Sequence, residues 1–437
     1  MGALGKGSKA ISGELEKRLA GWTAHALLSS QGVSREAALV KVGGRLAPDF
    51  AKIPEGASAE VVLLRKPSLG EEAAKEGKKA GSTPLHFGNA AAGSAPQYPG
   101  RCSKCGKPAA ITLAYARSEY CQSHFVKFFE SRVKRCVRQF AMLKKGEKVA
   151  VGLSGGKDSC VVLHMLHKIR QSLPFGLMAI TIDAGIPGEY ANTIEVAREE
   201  CRKLGVEHHV VSMKEEFGKS LPDLASGSGK ACSYCGVARR YLLNKYARKL
   251  GASRLAIGHN ADDVAQTVLM NFMRNEPGRL ARFAPLTKSG EGEFVPRIKP
   301  LFTTPERDVA AYALMKGMPI GFEECPYARG AFRQDVREML NAMEEKYPST
   351  KLRIVRAFLA QLGESERQGR VARGSGFGEK REKEPVGGRR NQKEARGHSG
   401  NNAQNEKGLQ KIPSCPSCGE PSSKEGKKCA MCAMLGD

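Results

Sequence analysis

Ser154-Gly155-Gly156-Lys157-Asp158-Ser159 is the stretch with the clearest chemical content. An apolar run, Val149 to Leu153 with Gly152 near its end, leads into it, and an apolar segment of helical length follows. That order predicts a strand, a tight turn and a helix whose first residues face the turn. Glycines at such a turn let backbone N–H groups converge on an anion, and the helix dipole and Lys157 add positive potential. A Walker loop needs Gly-x-x-x-x-Gly-Lys followed by Ser or Thr. Here Gly152 lies one residue too close and Asp158 follows the lysine. The alternative is a glycine turn without a ligand. A second group, Gly258-His259-Asn260-Ala261-Asp262-Asp263, follows the strand-like Leu255–Ile257. Helix capping by Asn260 accounts for one carboxylate in the first turn. Two side by side at a strand's carboxyl end suit Mg²⁺ beside a nucleotide.

The chain has 13 cysteines, and ten fall into groups with ligand spacing. Cys102-x-x-Cys105 with Cys121-x-x-His124 offers three thiolates and an imidazole. Cys415-x-x-Cys418 with Cys429-x-x-Cys432 offers four thiolates. Paired ligands on short turns suit two structural Zn²⁺ ions with closed tetrahedral shells. The third group, Cys232-x-x-Cys235 and Cys325, has three members and no nearby histidine. Its spacing admits an iron–sulfur cluster with one open iron, a cysteine pair with persulfide chemistry, or a zinc site with a further ligand elsewhere. Cys136, Cys160 and Cys201 stand singly in apolar helical patterns and are read as core.

The elements that must hold these groups follow from patterning. Between 128 and 362, strand and helix signals alternate: Lys148–Leu153, Cys160–Gln171, Leu177–Asp183, Ala191–Leu204, His208–Ser212, Ala238–Leu250, Arg254–Gly258 and Asp262–Arg274. This predicts an α/β domain with a doubly wound parallel sheet, its ligand crevice at the carboxyl edge. Around it are expected a small α/β unit at 1–66, a linker at 67–98, and a zinc ribbon at 99–127. A disordered basic linker at 363–412 and a second ribbon at 413–437 complete the order. Residues 367–411 hold 12 basic and 5 acidic residues but four large apolar ones, too few for a core.

The formal net charge is +25, which draws polyanions, nucleic acid above all. No apolar run is long enough for a membrane span, and the N-terminus lacks an apolar leader core, so a cytoplasmic protein without membrane association is expected. Within 1–66, Gly32–Leu46 and Ile53-Pro54-Glu55-Gly56 resemble the second half of a ubiquitin-like sulfur-carrier β-grasp. Such carriers end in a free Gly-Gly, whereas this segment runs on through Lys66-Pro67-Ser68, which leaves a docking role. An S4-like RNA-binding module is the runner-up.

Ser154-Gly-Gly-Lys-Asp-Ser159 resembles the pyrophosphate loop of the PP-loop ATPases. With Cys232-x-x-Cys235-Gly-Val-x-Arg-Arg240, Gly258-His-Asn-Ala-Asp-Asp263, Thr267–Arg274 and Glu324-Cys-Pro-Tyr327 in order between two ribbons, residues 99–362 and 413–437 are similar to the tRNA 2-thiouridine synthetases. The resemblance implies ATP-dependent adenylation of uridine O2 in tRNA, then sulfur transfer from a ubiquitin-like thiocarboxylate carrier, the wobble uridine favoured over the T-loop uridine. It also implies a [4Fe–4S] cluster on Cys232, Cys235 and Cys325. Gly152, Leu153 and Ser154 to Ser159, with Asp183, Gly258 and Asp263, would bind ATP and Mg²⁺. Asp158, Arg239 and Asp263 would join the three cysteines as catalytic residues. Arg239 stands where family members often carry lysine, which puts a lysine-specific proton transfer in doubt. A homodimer stays open. Two rivals remain: a PP-loop enzyme using an amine nucleophile, and a non-catalytic zinc-ribbon scaffold that binds tRNA.

Overall fold

The computed structural model describes residues 23–30, 34–49, 51, 53, 59–63, 100–188, 192–225, 231–287, 294–318, 327, 332–374, 428 and 431–432. The predicted linker at 67–98 lies outside them, as do Cys325, Cys415, Cys418 and Cys429. For Cys232 the backbone alone is described.

The centre is a five-stranded parallel sheet of β6 (Lys148–Gly152), β7 (Gly176–Asp183), β8 (Glu207–Ser212), β9 (Arg254–Ala256) and β10 (Arg297–Ile298), in the order β10-β9-β6-β7-β8. Its central strands β6 and β7 are apolar on both faces because both are covered. Val149, Val151, Leu177 and Ala179 join one core cluster, while Ala150, Met178, Ile180 and Ile182 join the other. That two-residue alternation is what a doubly covered strand requires. The helices, in chain order, begin with α1 (Ala24–Ser30), which belongs to the N-terminal unit, and then α2 (Gln122–Gln139), α3 (Lys157–Arg170) and α4 (Asn192–Leu204). The short α5 (Met213–Phe217) and α6 (Leu221–Ala225) precede α7 (Ala231–Lys249). They close with α8 (Ala261–Met273), α9 (Glu306–Met315), α10 (Phe332–Lys346) and α11 (Thr350–Gly374). Phe129 of α2 stacks on Tyr312 of α9 with centroids 4.2 Å apart, fixing two helices of the first face. Cys136, Cys160 and Cys201 are all buried, and burial pushes each thiol up, as inert core thiols should be.

Near the N-terminus, β1 (Ala38–Val42) pairs antiparallel with both β2 (Arg45–Ala47) and β3 (Ala59–Leu63). β1 is two-faced: Ala38, Val40 and Val42 enter a small local core with α1, while Leu39 packs into the large core of the central domain. The hairpin β4 (Ile111–Leu113) and β5 (Ser118–Tyr120) carries the first metal knuckle into α2.

Two boundaries differ from the sequence reading. α7 starts seven residues earlier than the apolar pattern suggests, so Cys232 and Cys235 lie on its first turns rather than before it. α11 continues to Gly374, past the expected domain end at 362; 363–374 has no proline, and its glutamates and arginines are good helix formers that offset its glycines. No helix among the described residues is long and apolar enough to cross a membrane.

Candidate active site and metal centre

The loop closes on itself through hydroxyls. Ser159 Oγ accepts from the Ser154 N–H at 3.1 Å and donates to the Gly156 carbonyl at 2.9 Å. Gly155 sits at φ +77, and a Cβ there would lie 1.8 Å from the Thr193 carbonyl oxygen. Only glycine satisfies both demands. Gly156 is the N-cap of α3 and offers no side chain to cap the start of that helix, which opens on the loop. Leu153 is buried and its carbonyl accepts from Thr181, which ties the loop to β7.

Facing the loop is the turn after β9. A Cβ on Gly258 would stand 3.1 Å from the Asp158 carbonyl carbon, so glycine permits the two turns to touch. Asn260 donates from Nδ2 to Asp158 Oδ1 at 3.0 Å, and its Oδ1 accepts from the N–H groups of Asp262 and Asp263. Asp263 returns the contact by accepting from the Asn260 N–H. This capping box brings Asp158 and Asp263 to one place. Asp262 is turned away: it accepts from the Glu306 N–H and from Lys351 in the interior. The adjacent-carboxylate reading of Asp262 with Asp263 as a shared Mg²⁺ site is therefore corrected, since neighbours on a helix point about 100° apart. Burial and then nearby cations push His259 down to about 3, so it is neutral, with its ring against Phe283.

Lys157 does not project into solvent over the loop. Its ammonium is 2.6 Å from Glu306 and 3.1 Å from Asp158, and the residue is 5% exposed. Its charge is balanced inside the protein. Ser154, Asp183 and Arg239 line one cleft with Thr181, Ile182 and Thr193. Asp183 also accepts from the Gly185 N–H, shaping the strand end. Arg239 is four residues after Cys235 on α7, so the two share a helix face. Tyr327, two residues beyond Cys325, packs in the same apolar cluster as Tyr234 and Cys235.

Cys102, Cys105, Cys121 and His124 form a cluster whose ligand atoms all lie within 4.8 Å of one another. His124 Nδ1 is 3.5 Å from Cys102 Sγ and 3.4 Å from Cys121 Sγ, and the Cys105 and Cys121 sulfurs are 3.8 Å apart. Ligands about 2.0–2.3 Å from a common centre at tetrahedral angles have these separations. Burial opposes ionisation of Cys102, but backbone N–H donors from Cys121, Lys104 and Cys105 hold its thiol down to about 6. Of the second predicted ribbon, Cys432 alone has a described side chain. It is buried with Met431 in the cluster that contains Cys235.

Residues 127–344 match the profile of the PP-loop domain, and 101–126 match the N-terminal LIM domain of the 2-thiouridine synthetase TtuA. The tRNA-5-methyluridine(54) 2-sulfurtransferase of Pyrococcus horikoshii is 37% identical over 259 residues, 59% of this chain and 82% of the relative. The chain belongs to the PP-loop tRNA 2-thiolation family. Cytoplasmic tRNA 2-thiolation protein 1 of Bos taurus, also 37% identical, is covered over 76% of its length by 58% of this chain. Among solved structures, the U34-tRNA thiolase NcsA of Methanococcus maripaludis, with its [4Fe–4S] cluster, superposes with a TM-score of 0.55 at 35% identity. That match covers 60% of this chain and 87% of NcsA. The two profiles span 101–344 and leave the β1–β3 sheet outside them.

Sequence reasoning missed the partners that hold the family loop in place. Glu306 is 149 residues from Lys157, and Arg333, 3.6 Å from Asp263, is also far from its partner along the chain. The one available signal was Pro305-Glu306, a helix start with an acid in its first turn.

Proposed function

We propose that this protein 2-thiolates uridine in tRNA, the wobble uridine in particular, by adenylation followed by sulfur transfer. The observation that carries the reading is the placement of Arg239 and Cys235 one turn apart on α7. Arg239 lines the cleft of Ser154 and Asp183, so nucleotide and sulfur chemistry adjoin on one helix face. In this reading the N–H groups at the start of α3, with Ser154, hold the phosphates, and Asp183 flanks the adenine. Asp158 and Asp263, joined through Asn260, hold Mg²⁺ against them. Uridine O2 attacks the α-phosphate and pyrophosphate leaves. Arg239 then steadies negative charge as AMP departs from C2, in exchange for sulfur originating in the thiocarboxylate of a ubiquitin-like carrier.

The donor set at α7 fits a [4Fe–4S] cluster: Cys235 is partly exposed in an apolar surround, and Tyr327, two residues after Cys325 in the chain, packs in that surround. Cys232, Cys235 and Cys325 would hold it, and the group would supply an iron open to sulfur. The 101–126 cluster fits Zn²⁺ in a closed, structural shell, and Cys415, Cys418, Cys429 and Cys432 would hold a second. The strand order β2-β1-β3, antiparallel throughout, supports a β-grasp reading of the N-terminal unit, which here serves docking.

The deciding experiment is nucleoside mass spectrometry on tRNA from a deletion strain, with the position mapped. Loss of 2-thiouridine at position 34, restored by the parent gene, is expected; an unchanged nucleoside profile would overturn the reading. Anaerobically purified protein should absorb broadly in the visible, and Cys235→Ala should lose that absorbance together with thiolation. Full activity of colourless protein removes the cluster. For the knuckle, Cys121→Ser should lower bound zinc by about one ion per chain and loosen 101–126, because a two-stranded hairpin is marginal alone. Elemental analysis with limited proteolysis reads both; unchanged zinc removes the assignment.

A further inference from the structure

The face that meets the tRNA backbone can be read from α2. Its apolar side, Phe125, Phe129, Val133, Cys136 and Val137, is buried in the main core. On the opposite side Lys127, Lys134, Arg135 and Arg138 follow at intervals that keep them within about 100° of one another around the axis. They form a stripe about 16 Å long. Lys144 and Lys145, both exposed, follow in the turn after the helix. Among the described residues no carboxylate pairs with this face. Residues 101–148 contain three acids, none exposed. Glu130 is buried and held to Lys168, Glu147 pairs with Arg254 at 2.9 Å, and Glu119 accepts from Thr112. Among the described residues none of the four stripe cations is paired with a carboxylate. By contrast, Arg198, Arg202 and Lys203 on α4 are all exposed but each lies against Glu195 or Glu199.

We infer that the outer face of α2 is a docking surface for the phosphate backbone of the tRNA, read without regard to sequence. This rests on the proposed tRNA substrate and adds where it is held. Cations one turn apart, about 6 Å, can each meet a separate phosphate. An anionic membrane is the weaker partner, because interfacial helices insert an apolar face and that of α2 is already used in the core.

The test is a variant carrying Lys127→Gln, Lys134→Gln, Arg135→Gln and Arg138→Gln, changes that keep helix propensity at three exposed positions and the half-buried Lys134. Binding of unmodified tRNA is measured by filter retention across a salt series, beside the parent and a control carrying Arg198→Gln, Arg202→Gln and Lys203→Gln. Each lost phosphate contact lowers the slope of log affinity against log salt by about 0.7–0.9, so a reduction of about 3 is expected for the α2 variant. Affinity at low salt should fall at least about tenfold, and the control should match the parent. Melting temperature should be unchanged. A parental slope and affinity in the α2 variant, with the parent still thiolating tRNA, overturns the docking surface and leaves the function standing. If the parent itself neither binds nor thiolates tRNA, the functional reading fails first. Vesicles containing phosphatidylserine should bind parent and variant equally weakly; a loss confined to vesicles would transfer the surface to membranes.

Discussion

Ser154→Ala and Asp158→Ala are each expected to lower AMP and pyrophosphate release by about 100-fold or more, with the fold intact. Ser154 gives up two hydroxyl contacts, with Ser159 at 3.1 Å and from the Gly156 N–H at 3.4 Å. Asp158 gives up a bond from Asn260 and a contact with Lys157, but Lys157 keeps Glu306 and Asn260 keeps its cap on α8. No buried charge is stranded, so each change should cost about 1–2 kcal/mol of stability. The chemistry suffers more because a phosphate site lowers its barrier by placement, and these groups stand where the loop meets the turn after β9. Lys157→Met is the contrasting variant. It removes the ammonium 2.6 Å from Glu306, which is 5% exposed, so its main effect should be on melting temperature. The measurement is product release with tRNA present, run beside thermal melts of all three. ADP and phosphate as products would assign γ-phosphate chemistry to the loop and end the adenylation reading. Equal activity of Asp158→Ala and parent would remove Asp158 from the site.

The parts of this site that were legible in the sequence are those made by neighbours in the chain. Strand, glycine turn and helix at 149–163 follow from local patterning, as do the knuckles at 102–124. The N-cap at Asn260 was visible too, yet its second task, binding Asp158 across 102 residues, was not. The same limit explains the misplaced role of Asp262. Local reasoning sees two adjacent acids, and only packing against α11 decides that one turns inward to Lys351. The start of α7 was missed because apolar periodicity begins at Ala238, while Cys232 to Gly236 carry a ligand motif that masks helical character. β1 shows the converse. Its alternation was readable, but Leu39 on its second face gave no sign of packing into another domain's core.

Lys351→Met is expected to be the most destabilising single change outside the core. Its ammonium lies 2.5 Å from Asp262, 2.7 Å from Asn341 and 3.7 Å from Glu36, and the residue is 4% exposed. Burial opposes its charge, but Asp262 and Glu36 outweigh that and raise its pKa. A raised lysine pKa contributes stability fully below its unfolded value, near 10.5, and loses it only above that, so the parent's melting temperature should not respond to this group between pH 5.5 and 8. Without the lysine, Asp262 and Glu36 are buried like charges. Burial already raises Glu36, and Lys351 with Arg307 are what restrain it. The loss should be about 3–5 kcal/mol near pH 8. It should shrink on acidification, because a carboxyl whose folded pKa exceeds its unfolded one destabilises progressively as pH rises from the lower value to the higher. Lys351→Met should therefore melt higher at pH 5.5 than at pH 8. Adding Asp262→Asn should recover part of the loss at pH 8 by removing one charge. Because Glu36 belongs to the N-terminal unit and Asp262 to the helix that bears Asp263, the same variant should also release residues 34–63 to protease before the central domain melts. A Lys351→Met protein with parental melting at both pH values would show that this trio holds nothing together.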